Sequence, residues 1–323
     1  MNERNEQASC PTFRTSIGGQ ALIEGILMRG PKKQAIVVRT KDGLLKQERE
    51  LTFLKDRYPV LGWPFIRGTV NFIGSMVNGV KALLWSAEQL PEEEQEEPSK
   101  FDRWLEKRFG VEKAEKLIVG FAVILGAAIA IGLFILLPAV LATLLMGVIR
   151  SNFAVNLCEG LLRIAIFLGY MVSVSRMKDI RRLWMYHGAE HKTIFCYEAG
   201  LPLTVDNCRR QSRFHPRCGT SFLFIVMITS ILVFSLVSWQ GGLWTNPFFR
   251  VLIRLALLPV VVGISYEIIK YAGGHDNLFT KIASAPGKAL QHITTAEPDD
   301  DMLEVAIAAM EAVIPEERGS DKW

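Results

Sequence analysis

His187-Gly188-Ala189-Glu190-His191 is the stretch of this sequence best suited to chemistry. On a helix, His187 and His191 stand one turn apart on a common face, so both imidazoles can bind one metal ion. Glu190, three residues after His187, lies near that face and offers a carboxylate as general base. A third ligand is wanted. Glu267 is one candidate, 76 residues beyond His191 (267 − 191); its alternative role is an ion pair with Lys270 or with an arginine of the basic loop described below. His215 and Cys218, in His215-Pro216-Arg217-Cys218-Gly219, form a second patch that could ligate the ion or brace the site. The donors call for a divalent metal, zinc first.

The order His-x-x-Glu-His is the one in which inverzincin peptidases supply two zinc ligands and a carboxylate base. They too take a further Glu several dozen residues downstream. In that reading His187, His191 and Glu267 hold the ion, Glu190 is the base, and His215 polarises or adds a ligand. A closed set of His187, His191, His215 and Cys218 would instead be a structural zinc site with no open position.

What must position these residues is a set of membrane helices. No charged residue occurs between Lys116 and Arg150, nor between Arg217 and Arg250, and a bilayer span needs only about 20 apolar residues. Residues 152–174 are apolar apart from Glu159 and Arg163, which are four apart and suited to pairing with each other. Residues 251–271 carry Arg254 early and Glu267 and Lys270 late. Each adjoins a stronger span, so four spans are expected, near 117–146, 152–174, 220–238 and 251–269.

Basic residues set the orientation. The segment 175–219 holds Arg176, Lys178, Arg181, Arg182, Lys192, Arg209, Arg210, Arg213 and Arg217, whereas the other two connections carry Arg150 or Arg250. The positive-inside rule puts that segment and both termini in the cytoplasm, with the chain in the plasma or inner membrane. The net charge of +4 follows from topology and calls for no nucleic-acid partner. The partners expected are the lipid bilayer and a membrane or cytoplasmic protein. The polar start MNERNEQASC lacks a signal-peptide core, so no cleavage is expected. Cys10, Cys158, Cys196, Cys208 and Cys218 have no framework spacing, and disulfides are not expected.

The fold class expected is mainly α: a polytopic membrane protein with about four transmembrane helices, a small N-terminal unit containing a β-hairpin, and amphipathic interfacial helices. Residues 1–62 form the soluble α+β unit, with a hairpin of 34–40 and 44–52 turning at Lys41-Asp42-Gly43. Residues 63–90 read as an amphipathic helix on the membrane surface or re-entrant in it. Residues 91–116 are an acidic linker and a charged helix. Residues 117–271 are the membrane domain with its metal-site loop at 175–219. Residues 272–323 are a cytoplasmic tail whose acids at 299–301 suit a helix N-terminus. Leu303, Ile307, Met310 and Ile314 give that helix an apolar packing stripe. Glu24 reads as a turn residue and His275 as a loop residue.

Several long stretches, in order, carry a family resemblance: SIGGQALIEGILMRGP, YHGAEHKTIFCYEAG, HPRCGTSF, LPVVVGISYE and ITTAEPDDDMLEVAIAAM. Over residues 14–314 the sequence resembles the YqhQ-like bacterial membrane proteins, a domain of unknown function (DUF1385) often described as predicted metal-dependent enzymes. The resemblance implies a family and not a reaction. The residues themselves favour a membrane-embedded metal-dependent hydrolase, peptidase-like, at the cytoplasmic face. The alternative is a non-catalytic membrane protein whose structural zinc site organises or recruits partners. A transporter is disfavoured because the spans carry so little polar lining.

Overall fold

The computed structural model describes residues 13–90, 99–145, 152–237, 247–317 and 319–323. In chain order the strands are β1 (Gly18–Leu22), β2 (Gly25–Arg29), β3 (Lys33–Thr40) and β4 (Gly43–Glu50). Helices α1 (Leu54–Arg57), α2 (Ile66–Glu88), α3 (Lys100–Phe109), α4 (Val111–Ile131), α5 (Leu137–Leu145) and α6 (Asn152–Val174) follow. The remainder are α7 (Lys178–Glu198), α8 (Val205–Arg209), α9 (Gly219–Val237), α10 (Pro247–Gly274), α11 (Leu278–Thr294) and α12 (Asp300–Glu311). Cys10, the acidic run 91–98 and Arg150 lie outside the described residues.

Four helical stretches are long and apolar enough to cross a bilayer: Leu117–Ala142, Ala154–Val174, Gly219–Val237 and Val251–Gly274. They are the spans expected from the charge-free gaps and their weaker neighbours. Between α4 and α5 the helix widens at Gly132–Leu136, where the Leu137 N–H donates to the Gly132 carbonyl. Pro138 follows at once and cannot donate to the carbonyl four residues back, which gives the widened turn its cause.

The chain divides into two compact units. One comprises Leu90–Tyr170 and Ser230–Leu258. In it Glu159 pairs with both Arg163 and Arg254. Arg163 also donates to Ser230, and Arg254 lies with Arg163 against the Phe234 ring. The expected Glu159–Arg163 pair is therefore present, with a second arginine added from α10.

The other unit gathers Met1–Gln89, Met171–Thr229 and Pro259–Trp323. Its centre is a four-stranded antiparallel meander in the order β1-β2-β3-β4. The hairpin read from 34–52 is β3–β4, paired from Lys33↔Glu50 to Thr40↔Gly43. The glycine-rich stretch before it is itself a hairpin: β1 and β2 pair around a tight turn at Ile23-Glu24, with Glu24 at φ 50°.

Alternation explains why this stretch is strand. Ile26, Met28, Ala35 and Val37 face a core shared with Tyr186 and Ala189 of α7 and Leu303, Ala306 and Met310 of α12. Leu22, Leu27, Ile36 and Val38 face a second core with Ala82 of α2. The sheet is thus the middle of three layers, and both its faces are apolar where they are covered. The stripe expected on α12 packs as read, with Leu303 and Met310 fully buried. Along α2, Trp63 and Phe65 just before it and Ile73, Met76 and Val77 within it stay exposed.

Candidate metal centre

The motif helix α7 runs Lys178–Glu198 and ends where Gly200, at φ 70°, lets the chain reverse. The Gly200 and Leu201 N–H groups then close onto the Tyr197 and Cys196 carbonyls. His187, His191, Ile194 and Glu198 fall on one stripe at intervals of four, three and four residues. Gly188 lies beside it because a Cβ there would collide with the backbone carbonyl of Ala296. The segment 294–298 thereby passes directly against the helix, and the Ala296 N–H donates to the Trp184 carbonyl at 2.9 Å.

That close passage orients the ligand. His187 Nδ1 lies 2.7 Å from the Thr294 carbonyl, and His191 Nδ1 lies 2.5 Å from the Arg213 carbonyl. Carbonyls only accept, so both rings carry a proton on Nδ1, and Nε2 is the nitrogen each turns toward the other donors, as in metal-binding imidazoles. His187 Nε2 stands 3.1 Å from Cys218 Sγ. His191 Nε2 is buried with no hydrogen-bond partner among the described residues. One donor atom each from His187, His191 and Cys218 lie within 4.8 Å of one another.

Cys218 sits at the mouth of α9, where the helix dipole favours a thiolate. Burial by itself would push this thiol up, but the neighbouring His187 and His191 imidazoles hold it well below its ordinary range. His187 moves oppositely. Burial lowers it, and the Cys218 charge and hydrogen bond, Glu190 and the Thr294 carbonyl together lift it to about 9. The opposed shifts favour the proton on His187 over Cys218, and a cation held between the two would displace it.

Glu190 is almost fully buried. The Gly19 N–H of β1 donates to its Oε1 at 2.9 Å, and its Oε2 has no partner among the described residues. Burial raises its pKa, opposed by His187 and His191 and by the Gly19 N–H. The residues line a cleft of about 400 Å³ whose far wall is β1 and whose rim includes Trp323. The fit to a divalent ion is good. Two fixed imidazole Nε2 atoms, a thiolate and an orphaned buried carboxylate oxygen converge on a cleft, and the soft N/S donor set is the one zinc prefers.

His215 stands beside His191, ring centroids 5.4 Å apart, outside the three-donor group, and its Nε2 accepts from the Arg217 guanidinium at 3.1 Å. Burial, Arg217, His191 and His187 all hold His215 well below its usual pKa, as a neutral ring. Its backbone is clamped by Gln291, whose Oε1 accepts from the His215 N–H and whose Nε2 donates to the His215 carbonyl, both at 2.7 Å. Arg217 in turn pairs with the fully buried Glu198, which also accepts from the Thr15 N–H at 2.8 Å. His215 thus braces the site instead of completing it.

Glu267 lies elsewhere. Its carboxylate accepts from Arg67 Nε at 2.8 Å and Nη2 at 2.5 Å and from the Phe65 N–H at 3.2 Å. The structure spends this residue on fixing the entry to α2, and the ion-pair role is realised with Arg67 rather than with Lys270 or the basic loop. Glu24 holds the β1–β2 turn to α7 through Arg182 and the Tyr186 hydroxyl. Cys196 and Cys208 belong to the apolar core. Glu198 was missed by motif reading, though its place three turns from His187 on the same stripe was a signal. Gln291 and the Thr294 carbonyl gave none.

Residues 63–316 match the family described as Protein of unknown function (DUF1385). The chain belongs to this YqhQ-like family. It is 34% identical over 314 residues to "Uncharacterized protein YqhQ" of Bacillus subtilis (strain 168), covering 92% of each chain. No solved structure matches. The family match takes in His187, Glu190, His191, His215, Cys218 and Glu267, and the relative, covering 92% of this chain, extends the likeness into the residues before 63.

Proposed function

We propose that this YqhQ-like protein is a metal-dependent hydrolase, peptidase-like, anchored by its four spans with the cleft at the cytoplasmic face of the plasma membrane. The observation that carries the reading is the pairing of a three-donor set, His187, His191 and Cys218, with a buried Glu190 whose Oε2 has no protein partner. Catalytic zinc sites use three protein ligands and leave a position open, whereas structural sites use four. His215, taken by Arg217, is withdrawn from the fourth position, which weighs against the structural alternative. When bound, a divalent ion supplies Lewis acidity for attack of water on a carbonyl. Glu190 accepts the proton of the attacking water at Oε2, with a raised pKa that brings it nearer neutral pH. The Gly19 N–H holds Oε1 and fixes the carboxylate's direction. His187 and His191 are held in the ligating tautomer by the Thr294 and Arg213 carbonyls. Orientation rests on the basic residues of 175–219.

The test pairs two variants in detergent-purified protein and in a deletion strain. About one divalent ion per chain is expected in the wild type, and His191→Ala should lose it while remaining folded. Glu190→Gln keeps shape but not basicity, so it should retain the ion yet fail to complement the strain. Full complementation by Glu190→Gln would sink the hydrolase reading, and full ion content in His191→Ala would sink the metal site itself.

A further inference from the structure

A second chamber, of about 410 Å³, lies on the α2 side of the sheet, across β1 from the donor cleft. The layer between sheet and α2 changes character along its length. At one end Leu22, Leu27, Ile36 and Val38 pack on Ala82. Farther along, the same sheet face carries Gln20, Arg29 and Gln34. Gln34 pairs with Arg29 across β2–β3, and Gln20 with Leu27 across β1–β2. Opposite them α2 presents Asn71, Ser75 and Asn78, which continue toward the N-terminus the stripe that ends at Ala82. A layer meant only to pack would stay apolar; here Gln20, Arg29, Gln34 and Asn78 are half-buried and Asn71 and Ser75 exposed, lining a chamber open to solvent.

These groups are not spent on one another. Asn71 donates to the Tyr266 hydroxyl at 2.9 Å. Among the described residues, the side chains of Gln20, Gln34, Ser75 and Asn78 form no hydrogen bond, and Arg29 forms neither a hydrogen bond nor an ion pair. Arg29 rests over the Phe53 ring at 5.7 Å. Burial draws its pKa down, with Tyr266 opposing. Among the described residues no Asp or Glu lines the chamber. Its walls therefore carry one uncompensated positive charge among neutral amides and a hydroxyl.

We propose that this chamber binds a singly charged oxyanion, a carboxylate or a phosphodiester, through Arg29, with the Gln20, Gln34 and Asn78 amides and the Ser75 hydroxyl receiving the polar body attached to it. A guanidinium matches such a group with two parallel N–H donors. One cation with no second positive group matches one negative charge. The proposal stands without the metal reading, because it uses none of the donor-cluster residues.

The test uses the full chain in maltoside micelles and saturation-transfer NMR. The probes are N-acetylalanine, a carboxylate, and glycerophosphoglycerol, the diester of a lipid headgroup; the controls are N-acetylalanine amide and glycerol. At least one anion should bind while its neutral control does not. Binding of the diester alone points to a lipid headgroup as the source, and of the carboxylate alone to an acid or peptide terminus. Arg29→Gln should weaken binding by about tenfold or more, the scale of a lost charged hydrogen-bond pair. Asn78→Asp keeps the guanidinium but adds a competing carboxylate, and should weaken binding similarly. Ion content, measured on the same samples, should not change, so loss of anion binding is distinguishable from loss of metal. The proposal is overturned if neither anion binds wild type, if the neutral controls bind equally, or if folded Arg29→Gln binds unchanged. Should Arg29→Gln not fold, unchanged binding by Asn78→Asp overturns it.

Discussion

Glu159, on α6, and Glu190, on α7, are both nearly inaccessible to solvent, and their surroundings differ in one respect. Glu159 lies between two guanidiniums, Arg163 on its own helix and Arg254 on α10, and both its oxygens accept from arginine. Glu190 lies near two imidazoles and a thiol, accepts one backbone N–H, and keeps an oxygen with no partner. A buried carboxylate surrounded by its own counter-charges fixes helices together. One left half-satisfied beside other unspent donors needs a ligand to complete it. Burial and charge are the same in kind; what separates architecture from site is whether the protein finishes the coordination itself.

The sharpest way to break that contrast is Glu159→Gln. It leaves two buried guanidiniums without a carboxylate and should cost about 3–5 kcal/mol of stability, the usual penalty for breaking a buried pair from one side. Thermal unfolding in nanodiscs measures this. Replacing Glu159, Arg163 and Arg254 together by Met, Leu and Met should restore most of the loss, because no unpaired charge then remains. Should Glu159→Gln be as stable as wild type, Glu159 is not what holds Arg163 and Arg254 in place.

A smaller effect is expected at the metal centre's support. Gln291→Ala strands the buried N–H and carbonyl of His215, which should cost about 1–3 kcal/mol. It should also weaken ion binding by about tenfold, as loss of an outer support does. Competition with a chromophoric chelator reads the second quantity. Weakened stability with unaltered affinity would mean that the His215 loop does not brace the ligands.

The smallest effect should come from Glu267→Gln. Its ion pair with Arg67 is partly exposed, at 22% and 28% of the side-chain areas, so the expected cost is under about 1 kcal/mol. Ion content should remain that of wild type. Loss of the ion on this substitution would return Glu267 to the ligand set.

The motif itself was legible because a helical repeat makes a contact prediction: residues four apart meet whatever else the chain does. His187, Glu190 and His191 needed only that rule, and Cys218 was reached as the next His/Cys patch on the same side of the spans. The partner of Glu267 was not legible, because its position in sequence says nothing about which of several basic groups it meets. Arg67 comes from a segment 200 residues away. The β1–β2 hairpin was missed because glycines at 18, 19 and 25 hide a two-sided alternation that only two covering layers make visible.

By itself the sequence determined the four apolar spans and the donor pattern on α7. Both are properties of a single segment: a long run without charge must leave water, and a helix must align every fourth residue. The tertiary structure alone decided which donors remain available. Whether an imidazole nitrogen, a carboxylate or a guanidinium is spent depends on partners from distant segments: Thr294 for His187, Arg217 for His215, Arg67 for Glu267, and none among the described residues for Arg29. Hydrogen-bond completion is a short-range matter in space, and the chain's order along the sequence carries no record of it.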